Sequence, residues 1–75
     1  NETFEYFKDL AKLAREAYPD ALLSNYYMGL FYEGTGNPKK AIKAYQEAYI
    51  FQEIDGLTKD DLLARADRLK AEFGY

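Results

Sequence analysis

Seventy-five residues with a formal net charge of −3 and a pI near 4.8 allow one small domain, residues 1–75, and argue against a phosphate-binding polycation. With no Cys and no His, the chain has no disulfide, no thiol chemistry and no Ser–His–Asp or Cys–His machinery of its own. No Val, three Ile and three Thr stand against ten Ala and nine Leu, a balance that favours helices over strands and predicts an all-α chain.

No apolar run approaches the ~20 residues that span a bilayer, and no signal peptide is visible. The chain begins at Asn1 without Met, which allows for a removed leader or upstream domain; the compartment is not fixed. A chain this short buries only ~60% of the surface its unfolded form exposes, so modest stability is expected.

The first helix is expected over about Thr3–Ala17. Phe4, Phe7, Ala11, Ala14 and Tyr18 repeat at helical spacing, Leu10 and Leu13 widen the stripe, and Pro19 ends it. The second helix is expected over about Asp20–Glu33 with Asp20 as N-cap. It is apolar nearly all round, which predicts a buried helix with neighbours on several sides. Within it, Gly29 costs about 1 kcal/mol against Ala. Close approach of a bulky partner such as Tyr45 is the simplest reason for it. Gly34 and Gly36 are expected to end the helix and form the turn.

Asn37-Pro38 is a start signal, with Asn as cap and Pro at the first helical position, and the third helix is expected to reach about Gln52. Lys39, Lys40 and Lys43 form the one local basic cluster, read as solvated, and Lys43 and Glu47 make an i,i+4 pair. Asp55-Gly56 breaks the chain again. Thr58 then caps a fourth helix over about 59–73, with Asp61 as capping-box partner and Gly74 as stop. Leu62, Ala66, Leu69 and Phe73 form its apolar stripe, while Arg65, Asp67, Arg68 and Glu72 are expected to face water.

Across the two central helices the sequence reads Met28-Gly29-x-x-Tyr32, then Ala41-x-x-x-Tyr45-x-x-Ala48. This resembles the 34-residue tetratricopeptide repeat, whose pattern is Leu-Gly-x-x-Tyr followed by Ala-x-x-x-Phe and a closing Pro. Asn25 stands where that family has Trp, and Glu53 where it has Pro. The 12-residue spacing of Gly29 and Ala41 favours this repeat over the related Sel1-like type. A shift of 34 places Pro19 on Glu53, Ala14 on Ala48, Ala11 on Tyr45 and Phe7 on Ala41, so the first helix reads as half of a degenerate preceding repeat. The resemblance implies four antiparallel helices, one complete hairpin flanked by two single helices, as a fragment of an α-solenoid. The fourth helix, with Leu63 in place of Gly29, reads as a terminal cap.

Leu23, Tyr26, Tyr27 and Leu30, with Glu33 at their edge, form an aromatic face on the second helix. By resemblance these positions line the groove that receives peptides. Tyr and Leu there, rather than Lys, Arg and Asn, disfavour the grip on a terminal carboxylate that several family members use. The same rings could instead pack against the first and fourth helices.

Candidate chemistry is sparse. Ser24 is the only Ser and has no base in sequence reach, Asp60-Asp61 read as helix-start residues, and Gly34-Thr35-Gly36 lacks the ending of a phosphate loop. The expected function is therefore non-catalytic, a protein–protein interaction or assembly module with no cofactor or metal. Its partners would be a protein or peptide, an adjacent domain, or a second copy docking on Phe4, Phe7, Leu10 and Leu13 of the first helix; neither nucleic acid nor membrane is expected. The alternative is a helical C-terminal appendage of a larger enzyme. The segment from Ile54 through Tyr75 faintly resembles helical tails of some bacterial esterase-type hydrolases.

Overall fold

A computed structural model of the chain describes residues 2–54 and 56–75, so the Asp55 half of the expected Asp55-Gly56 break lies outside the described residues. The protein is all-α. Helix α1 covers Glu2–Ala17, α2 Leu23–Gly34, α3 Pro38–Glu47 and α4 Lys59–Phe73, and a 3₁₀ turn, Ala48–Ile50, prolongs α3. Each helix packs on the next, α1 on α2, α2 on α3 and α3 on α4.

The α2–α3 contact is the tight one. A Cβ on Gly29 would overlap the ring of Tyr45, as the Gly-x-x-Tyr and Ala-x-x-x-Tyr spacing predicts. Tyr45 is among the largest fully buried side chains, together with Leu22 and Leu62. Ala41, Ile42 and Ala48 of α3 and Leu62, Ala66 and Leu69 of α4 complete this core. Asn25 donates from its amide to the Ala44 carbonyl at 2.9 Å and bonds α2 to α3. Ala11 and Ala14 are buried on α1, where small side chains let the helix lie close to α2.

The molecule is a slab of 34 × 29 × 16 Å. α1, α3 and α4 each present exposed residues to water, whereas α2 between them has none. The expectation for α2 holds in its neighbours, since α2 touches α1, α3 and Arg65 of α4, and is corrected only in degree. Its buried residues are Ser24 and Gly29, and its large apolar side chains are half-buried. Leu13 and Tyr18, expected in the α1 stripe, are more than half exposed, and Phe73 of the α4 stripe is half exposed and stacked on Tyr75.

Two helix boundaries differ from the local signals for a single reason. The connection before α2 pairs with the connection after α3: Leu22 N–H donates to the Gln52 carbonyl at 2.9 Å, and Gln52 N–H to the Asp20 carbonyl at 2.7 Å. Asp20 is therefore not the N-cap. Leu22 occupies that position without a side-chain cap, and α2 begins three residues late. At the other end, Phe51 is extended (φ −103°, ψ 166°), so the helix stops at Ile50 rather than Gln52. Backbone groups left free at a helix end must find partners, and here each connection supplies the other's.

Elsewhere the local chemistry holds. Asp61 N–H donates to Thr58 Oγ1 and Thr58 N–H to the Asp61 carboxylate, both at 3.2 Å, which completes the capping box of α4. Gly74 closes that helix at φ 77°, a left-handed conformation that favours glycine. Pro38 opens α3, but the Asn37 side chain makes no cap and donates instead to Thr35 Oγ1. Gly36, at φ 80°, makes the α2–α3 turn, whereas Gly34 serves packing: a Cβ there would overlap the Phe4 ring.

These contacts give a prediction opposite in sign to helix propensity. Gly29→Ala or Gly29→Leu should destabilise the fold by ~1–3 kcal/mol through overpacking. The 1% exposed Tyr45 ring has nowhere to move. Gly34→Ala should cost less, because Phe4 is only half-buried near the start of α1. Thermal melts of the three variants check the order.

Candidate functional site

The expected face on α2 lies on one broad side of the slab. Leu23, Tyr26, Tyr27 and Leu30 are all half-buried there. Successive helix residues are ~100° apart, which puts Tyr26, Leu30 and Leu23 within about 60° of one another, with Tyr27 turned toward α1. The Tyr27 ring stacks on Phe7 of α1 at 6.4 Å and 21°. Tyr26 lies 5.6 Å from Tyr27 and beneath the guanidinium of Arg65 from α4, 5.2 Å away. Tyr6 adjoins Phe7 at 6.0 Å. Tyr6, Phe7, Tyr27, Tyr26 and Arg65 therefore form a continuous line across three helices. The choice between groove and core resolves into neither extreme, since the rings touch their neighbours edge to edge or face to face and keep part of their surface in water.

Glu33 is not a free rim carboxylate. It accepts a hydrogen bond from the buried Tyr45 hydroxyl and lies 3.9 Å from Arg65 and 3.6 Å from Arg68. Of the two arginines expected to face water, Arg68 does so at 61% exposed, while Arg65 is 33% exposed and turns toward α2. The ion pairs are loose and largely wet, and such pairs contribute at most ~1 kcal/mol. The tyrosine bond is the stronger tie, because a buried hydroxyl needs a partner. Burial first, and then the hydrogen bond to Glu33 and the charge of Glu33, push the Tyr45 hydroxyl above the usual tyrosine range, while Arg65 opposes the shift. The phenol is thus held as a donor rather than as a nucleophile.

Sequence reasoning missed the Tyr45–Glu33–Arg65 connection. Arg65 and Arg68 share a face of α4 at i,i+3, and that signal was present. What they face depends on how α4 crosses α2, which spacing does not encode. A second basic group was also missed. Besides Lys39, Lys40 and Lys43, α1 carries Lys8, Lys12 and Arg15 at i, i+4 and i+7, all exposed.

Among the described residues no set of three or more Asp and Glu side chains is placed to hold a metal ion, and no helix is long and apolar enough to cross a membrane. No family model, characterised protein or solved structure matches the chain.

The raised Tyr45 value fixes the sign of a pH effect. Above the ordinary value of 10.0 the unfolded chain releases this proton while the folded chain keeps it, so the contribution is complete below that pH and is lost as pH rises beyond it. Tyr45→Phe should cost ~1–2 kcal/mol at neutral pH through the lost charge-assisted bond. Its stability should then fall less steeply than the wild type's at alkaline pH. Urea titrations of both proteins on either side of that pH read the difference.

Proposed function

We propose that the protein is a non-catalytic interaction module of tetratricopeptide-like type that receives a protein or peptide segment on the α2 face. The observation that carries this reading is the line of side chains from Tyr6 to Arg65. It presents aromatic surface from α1 and α2, edged by a cation from α4, along one open side of the slab. Tyr suits recognition because each ring combines a large apolar area with a polar tip and few rotatable bonds. Leu23 and Leu30 add apolar floor beside the rings. Glu33 works from behind, holding Arg65 near the tyrosines, rather than as a direct contact.

The repeat resemblance draws support from burial. Gly29, Ala41, Tyr45 and Ala48 are all buried at the hairpin crossing, and under the 34-residue shift Ala11 and Ala14 are buried like their counterparts Tyr45 and Ala48. Selection of short peptides from a random display library on the immobilised domain tests the function. Enriched peptides should bind the wild type and lose affinity for Tyr27→Ala and Leu30→Glu, with the circular dichroism of both variants retained. Failure to enrich any peptide, or enriched peptides indifferent to both changes, would count against the reading.

A second reading, docking of α1 onto a neighbouring domain or a second copy, is favoured by Tyr6 and Leu13, which are 61% and 59% exposed on one flank of α1. Of the four residues expected on this surface Leu13 is exposed, whereas Phe4 packs at Gly34, Phe7 on Tyr27, and Leu10 is half-buried. If a second copy is the partner, sedimentation at high concentration should show self-association that Leu13→Glu abolishes.

A further inference from the structure

The opposite broad side of the slab has a different chemistry. There α2 presents Met28, Phe31 and Tyr32, which recur at i, i+3 and i+4 and are all half-buried. On one flank Lys8, Lys12 and Arg15 of α1 lie within about 60° of one another around the helix axis. Together with Ala11 and Met28 they line a groove of about 400 Å³, whose one acidic lining residue is Glu16. On the other flank Lys40 and Lys43 of α3 line a second hollow with Tyr32 and Ala44, and Glu47 is the acidic residue there. Two adjoining rings of α2 each carry one of these cations. Phe31 and Tyr32 are 5.5 Å apart, with the Lys8 ammonium 6.0 Å from the first and the Lys40 ammonium 5.8 Å from the second. Among the described residues none of these five cations takes part in an ion pair.

We propose that this side is a second binding surface, specific for an acidic protein segment that places an apolar side chain over Met28 and carboxylates against the two rows of cations. It shares no residue with the aromatic line on the other side, so the proposal does not rest on the reading given above. Charge complementarity selects the occupant. The chain as a whole carries −3, yet each hollow is lined by more cations than carboxylates. Such a local field attracts an acidic segment at short range, while the net charge repels a long polyanion.

Three features favour a peptide over a nucleic acid or an anionic membrane. Glu16 and Glu47 interrupt the cationic rows, and a peptide can set neutral residues opposite them where a regularly charged phosphate backbone cannot. Lysines already lie over Phe31 and Tyr32, on faces that stacked bases would need. Met28 lies half-buried in the groove between two helices, where a side chain can reach it but a lipid surface cannot settle.

The test is a peptide array in which Glu or Asp alternates with Leu, Met or Phe, paired with a twin array carrying Gln at every acidic position. The full chain is the probe, beside Lys8→Glu/Lys12→Glu and, as a milder variant, Lys12→Gln/Arg15→Gln. These side chains are exposed, so circular dichroism should be unchanged. Acidic peptides should bind at least about tenfold more tightly than their Gln twins and weaken as salt rises. They should lose that preference in the reversal variant, lose part of it in the milder one, and keep it in Tyr27→Ala on the opposite side. Acidic peptides that bind no better than their twins, or equally well to the reversal variant, would overturn the proposal. So would phosphatidylserine vesicles or oligothymidine binding through the same lysines while the acidic peptides do not.

Discussion

The fold depends on one ring in one notch. Tyr45 fits against the backbone of α2 only because residue 29 has no side chain, and the fit brings its hydroxyl to Glu33, one turn further along α2. Glu33 in turn draws Arg65 and Arg68 of α4 toward α2. A single tyrosine therefore fixes how closely α3 approaches α2 and where α4 sets its charged side. The hydrogen bond satisfies the one polar atom that burying a tyrosine takes out of water, so the ring can fill the crossing without leaving a donor unpaired.

So small a chain has little else to rely on. Its fully buried side chains lie almost entirely between α3 and its two neighbours, and α1 is held mainly by the small residues Ala11 and Ala14 and by rings at its flanks. With so small a core the connections become structural. Pairing between Asp20–Leu22 and Gln52 binds the end of α3 to the start of α2 with backbone groups that neither helix satisfies alone. Side-chain caps then matter less there than at α4, whose start lies outside that pairing and has a full capping box.

This division explains what was legible in the sequence. Thr58 with Asp61, Pro38, Gly74 and the Gly29–Tyr45 spacing act through atoms a few residues away or through one helix–helix contact, and all were readable from residue type and interval. Asp20 looked equally convincing as a cap, but its carbonyl was claimed by Gln52, 32 residues on, and no local rule carries that information. The α2 face Leu23, Tyr26, Tyr27 and Leu30 was legible as a face. Its half-buried state was not, because an apolar helix reads the same whether a second layer covers it or water does. Glu33 was placed at the edge of that face, yet its partners come from two other helices. The row Lys8, Lys12 and Arg15 was readable from spacing alone and was obscured by the acidic balance of the whole chain.

The thinness of the slab also bears on how its two broad sides relate. α2 contributes to both, with Tyr26 and Leu30 on one and Met28 and Tyr32 on the other, so the rotation of this helix about its axis sets what each side presents. A turn by one residue's ~100° would carry Tyr26 into a packed flank and Met28 away from the lysines. The Gly29 notch forbids that rotation, since only at residue 29 can the Tyr45 ring be accepted. Asn25 adds a second restraint one turn earlier through its bond to the Ala44 carbonyl. The residues that hold α2 in register are therefore on neither open side. They lie on the α3 flank between them, where a partner on either face leaves them covered, and the aromatic and cationic sides are kept distinct by packing that belongs to neither.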